Sequence, residues 1–348
     1  MKASNLLFAI LAVMMAFTTS ATSIKGNPTP THRPLVEEYT GTWCGWCIRG
    51  LAGMELLRTE LGDDFIGVAY HNGDAMAVIP SNKYPNRVTG FPSEFIDRSY
   101  SVDPLYGYSN TSGGILNTVK QISAMAAVAG IDVTARWTSE ERTAIAINVS
   151  SYFTIDESSA KYVIELILVA DDLYGSGNGW NQSNYYSGDE DYAFDKYLAR
   201  YVKSPATISG IHFNDVIVGT SGLITGSLPT TITAYELYNY DYTYAISSLP
   251  NPSLVQNKDN LRVIALIHNS QTRKVINANK TLIKEFIPAL LGDVDDDGVL
   301  SIGDIAALID YLLDDTATIN ATNAEVNGDG TINIADLTDI IDMILSHS

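Results

Sequence analysis

The apolar positions change their rhythm several times along the 348 residues. Residues 6–17 are an unbroken apolar run of twelve, with Lys2 before it and the small residues Ser20, Ala21 and Ser23 after it. The run is shorter than the roughly 20 apolar residues a membrane helix needs, and its small-residue exit suits cleavage. Residues 1–23 therefore read as a signal peptide, and no later stretch is long enough to span a bilayer as a helix. Residues 24–34 are rich in Thr and Pro and read as a leader strand or linker. A short extended run follows at 35–39. Over 45–61, Ile48, Leu51, Ala52, Leu56 and Leu57 recur at helical spacing and stop at Gly62, a residue suited to end a helix. Strand-like runs at 65–71 and 92–97 precede a helical pattern over 115–129 that stops at Gly130. This order of elements predicts an α/β unit over residues 24–130.

From residue 131 the period shortens. The runs 131–137, 143–152, 162–170, 212–219, 234–246, 261–268 and 274–286 are rich in Ile, Val, Thr and Tyr and are separated by turn residues. They predict an all-β sandwich over 131–288, interrupted by a helix near 193–202 and closed by Pro288. Tyr238, Tyr240, Tyr242 and Tyr244 alternate and so share one strand face; Asn239, Asp241 and Thr243 take the other. The tyrosine face is read as turned to the core rather than as a sugar platform. In residues 289–348 a helical period returns twice, at 302–312 and 334–344.

The net charge of −19 argues against a nucleic-acid partner. The charge is concentrated: residues 292–348 hold 13 Asp or Glu and no Lys or Arg. Their order decides what the acids do. Asp293, Asp295 and Asp297 alternate, Gly298 follows for a sharp turn, Val299 offers its carbonyl, Ser301 stands at the often water-bridged ninth position, and Asp304 closes a twelve-residue loop. Hard Ca²⁺ takes six to eight oxygens, and this spacing gathers them around one point. The pattern recurs as Glu325, Asn327, Asp329, Thr331, Asn333 and Asp336, with Glu325 in a place where Asp is usual. Two calcium ions are therefore expected. Each loop runs into an apolar helix. This duplication, with Asp at the twelfth position, resembles a type I dockerin, and the resemblance implies a cohesin-bearing protein as partner.

The chain has two cysteines, Cys44 and Cys47. Two cysteines three positions apart cross-link almost nothing, so redox chemistry explains them better than a disulfide framework does. No second pair or finger-spaced His makes a zinc site. At a helix start, the Cys44 sulfur faces free backbone N–H groups and the positive helix end, which favours thiolate. Cys47, one turn on, can attack a mixed disulfide formed at Cys44. Cys44 is thus expected as the exposed nucleophile and Cys47 as the resolving thiol. His71, at a strand end, is read as hydrogen-bonded rather than as tuning the thiolate.

The run Trp43-Cys44-Gly45-Trp46-Cys47, with Gly90-Phe91-Pro92-Ser93 further on, resembles the two signatures of thioredoxin-like proteins. The resemblance implies a cis Phe91–Pro92 bond beside the cysteines and a catalytic part for Cys44, Cys47 and Pro92. With Val36-Glu37-Glu38-Tyr39-Thr40-Gly41, Leu168-Val169-Ala170-Asp171-Asp172, Val263-Ile264-Ala265-Leu266-Ile267 and Lys274-Val275-Ile276-Asn277-Ala278, the body looks like the outer-membrane-protein family named for its twenty-eight-kilodalton member. That likeness implies export and a surface, periplasmic or outer-membrane place. No pair of carboxylates can be assigned for glycoside hydrolysis. Two readings stay open: a thiol–disulfide oxidoreductase acting on a protein dithiol or disulfide, and a non-catalytic surface or adhesion protein with an inert local disulfide.

Overall fold

The computed structural model describes residues 24, 26–287, 290–314 and 317–347. The signal peptide read at 1–23 and Pro288 lie outside the described residues.

The first unit runs β1 (Leu35–Thr40), α1 (Ile48–Leu61), β2 (Ile66–His71), β3 (Ser93–Ile96), β4 (Tyr100–Val102) and α2 (Gly114–Ser123). β1 is parallel to β2 and antiparallel to β3, and β4 folds back on β3. Strand alternation sends Val36 and Ile96 to one side, where they meet Met54 and Leu57 of α1 and Ile115, Val119 and Ile122 of α2. α1 ends at Gly62, whose φ of 54° needs no Cβ relief. Sequence pattern missed β4, because its turn is Asp97-Arg98, both left-handed, instead of the Asn-Gly or Asp-Gly pair that usually marks such a hairpin. Side chains hold this turn: the Asp97 carboxylate accepts from the Leu35 N–H at 2.9 Å, and Arg98 is buried between Glu37 and Glu165. α2 is shorter than expected, since residues 129 and 130 already belong to the next strand.

The remaining body contains β5 (Ala129–Trp137), β6 (Ala144–Phe153), β7 (Tyr162–Ala170), β8 (Gln182–Ser183), α3 (Ala199–Val202), β9 (Thr207–Ile208), β10 (Val216–Thr220), β11 (Tyr238–Ala245), β12 (Leu261–Asn269) and β13 (Val275–Leu282). All seven runs read as strands are strands. They divide between two sheets. β10 lies parallel to β2, so the order β13-β12-β7-β10-β2-β1-β3-β4 is one eight-stranded sheet that crosses residue 130. β2 would otherwise present an open edge, and β10 covers it. The three-stranded sheet β11-β6-β5 packs across β7, β10 and β12, with Trp137, Ile147 and Phe153 set against Ile164, Leu168, Val218, Val263 and Ile267. This is the sandwich layer. Tyr238 and Tyr244 are buried in it and Tyr240 and Tyr242 pack on it, as the alternation required. The helix near 193–202 reduces to a turn at Glu190–Tyr192 and the single turn of α3.

The tail holds α4 (Ile302–Leu313), α5 (Ala321–Ala324) and α6 (Ile334–His347) around a small core of Val294, Leu308, Ala324 and Ile340. The short α5, absent from the sequence reading, is capped by Asn320, whose side chain accepts from the N–H groups of Thr322 and Asn323. Among the described residues no helix is long and apolar enough to cross a membrane.

Candidate redox turn and calcium loops

β1 delivers the chain to Cys44, which caps a 3-10 turn at Gly45–Cys47 leading straight into α1. The two cysteines are joined, with Cα atoms 5.3 Å apart. The Phe91–Pro92 bond is cis, and the Phe91 ring meets the edge of Trp43 at 5.5 Å between centroids. Trp43 and Trp46 stand about half exposed, at 50% and 45%. The cysteines do not: Cys44 is 6% exposed and Cys47 fully buried. The expected exposed nucleophile is therefore covered. His71 lies with Nδ1 2.7 Å from Asp74 Oδ2, and that same oxygen accepts from the Thr42 N–H at 2.9 Å. The histidine thus braces the turn through Asp74.

The excursion between β7 and β10, far off in sequence, lies on this turn. The N–H of Ser183 donates to the Thr42 carbonyl at 2.7 Å, that of Tyr185 to the Gly45 carbonyl at 3.2 Å, and Gln182 Nε2 to the Cys44 carbonyl at 2.9 Å. Trp46 packs edge-on against Tyr185 and Tyr186. The Tyr185 ring lies directly on Gly45, where any Cβ would collide with it.

Beneath α1, sequence reasoning passed over two carboxyls. Glu38 on β1 and Glu94 on β3 are buried cross-strand partners on the α1 side of the sheet. Glu38 Oε1 sits against Gly50 of α1. That oxygen and both Glu94 oxygens have no hydrogen-bond partner among the described residues. Burial, helped by the Asp215 charge, pushes the Glu38 carboxyl up to about 8. Burial and then the Glu38 charge hold Glu94 well above the carboxylate range. The available signal was a pair of adjacent glutamates in a central strand. Alternation sends Glu37 to the opposite face, where Arg98 neutralises it, and leaves Glu38 without a cation in direct contact.

In the tail, Asp293, Asp295 and Asp297 bring carboxylate oxygens within 4.8 Å of one another. Asp304 is fully buried and organises the loop, accepting from the N–H groups of Val294 at 2.6 Å and Ser301 at 2.7 Å. Ser301 caps α4. The second loop repeats this wiring: Asp336 accepts from Val326 at 3.0 Å and Asn333 at 2.9 Å. Glu325 accepts from the Asp329 N–H at 2.8 Å, as Asp293 does from Asp297 at 3.0 Å. The extra methylene of Glu325 thus preserves the loop bond. Clustered hard oxygen donors suit Ca²⁺.

None of the curated proteins compared with the chain matches it. Residues 291–345 match the dockerin type I domain family. Among solved structures, HBP35 of Porphyromonas gingivalis is similar at 13% identity, covering 73% of this chain and 76% of that one with a TM-score of 0.50. A domain of the outer membrane lipoprotein Omp28 from Porphyromonas gingivalis covers 46% of this chain and 90% of its own, at 16% identity and a TM-score of 0.24. At these identities the likeness to HBP35 speaks to fold, and the Omp28 match adds no weight to it. Residues 291–345 are thus similar to type I dockerins, and the body before them shares its fold with HBP35.

Proposed function

We propose that this is an exported thiol–disulfide oxidoreductase-type protein held on a cohesin-bearing partner by its calcium-loaded dockerin. The observation that carries the reading is the Cys44–Cys47 disulfide at the mouth of α1, in a βαβ-ββα frame. In the dithiol form the N–H groups opening α1 favour a Cys44 thiolate. That thiolate attacks a substrate disulfide and expels one substrate thiolate. Cys47 then attacks the mixed disulfide, releases the second, and leaves Cys44–Cys47 oxidised and the substrate reduced by two electrons. The cis Pro92 segment flanks the turn through Phe91. Residues 1–23 are the export signal in this reading, and the units 24–130, 131–288 and 289–348 follow it, the first two sharing a sheet.

In the dockerin, Asp293, Asp295, Asp297, the Val299 carbonyl, Ser301 and Asp304 hold one ion. Glu325, Asn327, Asp329, the Thr331 carbonyl, Asn333 and Asp336 hold the other. The ions neutralise carboxylates that otherwise repel one another and so hold the loops closed.

Burial of both cysteines favours the second reading, an inert disulfide in a surface protein. Thiol titration of the reduced chain separates the two. Selective alkylation of Cys44 with a midpoint well below the ordinary thiol value of about 8.5 supports exchange, and equal alkylation of both cysteines near that value overturns it.

A further inference from the structure

We infer that residues 180–209 form a hinged lid over the Cys44–Cys47 disulfide, and that lid opening sets how fast the disulfide can be reduced. The lid's role in exchange rests on the oxidoreductase reading; its existence as a cover does not.

Three observations carry this. The lid is one piece: β8 pairs with β9, and Asn184 Nδ2 donates to the carbonyls of Tyr201 at 2.8 Å and Pro205 at 3.1 Å. It is bounded by left-handed glycines in open space: Gly177 (φ 83°) on one side and Gly210 (φ 71°) on the other. Its attachment to α1 is uneven. Near the cysteines, Tyr186, Leu198, Tyr201 and Val202 pack on Ile48, Ala52 and Leu105. Further along α1 the contact thins to a cleft of about 430 Å³, lined by Glu38, Leu51, Met54, Tyr201, Ser204 and Ile208 and bridged by the exposed Arg200–Glu55 ion pair.

Attack on a disulfide requires an incoming thiolate to reach one sulfur in line with the S–S bond. With the lid down, both cysteines are buried. With it raised, a thiolate of an external dithiol attacks Cys44 and Cys47 leaves as thiolate. The second thiolate of the reagent then displaces Cys44, giving the protein dithiol and the cyclic disulfide of the reagent.

The test is the rate of reduction of the full chain by dithiothreitol. Gln182→Ala/Tyr185→Ala removes one bond and the ring over Gly45, and should speed reduction at least about tenfold while leaving the equilibrium potential nearly unchanged. Equal rates in a folded double variant overturn the lid. If the double variant does not fold, the wild-type chain decides. Reduction should accelerate in urea well below the unfolding midpoint. Reduction at the rate of an exposed peptide disulfide, or only through global unfolding, overturns the inference. Absence of insulin reduction in every variant, with the rate difference intact, would instead fail the oxidoreductase reading alone.

Discussion

Glu38 and Glu94 face each other across β1 and β3, both buried under α1, and the carboxyl of Glu38 fills the space that a side chain on Gly50 would need. Two carboxyls so placed cannot both ionise cheaply.

Their raised folded values make stability fall as pH rises. The unfolded chain loses these protons near 4.5, whereas the folded chain keeps that of Glu38 to about 8. The stabilisation from Glu38 is therefore complete below about pH 4.5 and is lost between there and about 8. Glu38→Gln should raise the urea midpoint at pH 8, by at most about 4 kcal/mol of stability, and leave it nearly unchanged at pH 4. A midpoint difference independent of pH would contradict this.

Gly50→Ala should cost on the order of 1–3 kcal/mol, because its methyl meets the Glu38 carboxyl. The same change made in Glu38→Ala should cost much less. Denaturant melts of the four proteins in a double-mutant cycle measure the coupling.

Arg98 donates from Nη1 to Glu165 at 2.8 Å and from Nε to Glu37 at 3.1 Å, joining the β3–β4 turn to β1 and β7. Arg98→Met strands two buried carboxylates and should destabilise by about 3–5 kcal/mol. Arg98→Met/Glu37→Leu/Glu165→Leu should recover much of that in thermal melts.

Calcium should order residues 293–345. The tail core is small, and without an ion its clustered carboxylates repel. EDTA should lower the helicity of the tail while the body stays folded, as read by circular dichroism of the full chain and of its amide exchange by region. Asp295→Ala should weaken calcium binding at least about tenfold and more than Asn327→Ala does, since a carboxylate contributes more than an amide.

Much of this was legible in residue order. The two oxygen-rich loops of the tail are local: each candidate donor set lies within twelve residues, so spacing alone brings it together. The cysteine turn follows from its motif, and the helix it opens and seven of the nine strands β5 to β13 follow from periodicity, for the same reason. The Asp97-Arg98 turn was not legible, because its left-handed residues are held by distant partners, Leu35, Glu37 and Glu165.

What the sequence determined by itself is therefore the set of elements, the tail with its ligand loops, and the chemistry available at Cys44 and Cys47. Tertiary structure alone decided how the pieces join and what the cysteines can meet. β10 docks beside β2 through pairing across about 145 residues, turning two apparent units into one sheet. Ser183, Tyr185 and Gln182 close over a turn some 140 positions earlier. Glu37 and Glu38 are neighbours of identical chemistry, yet one is neutralised by Arg98 and the other is buried opposite Glu94. Backbone pairing and side-chain burial between distant segments depend on register and packing, and no local pattern encodes which distant partner a strand face will meet.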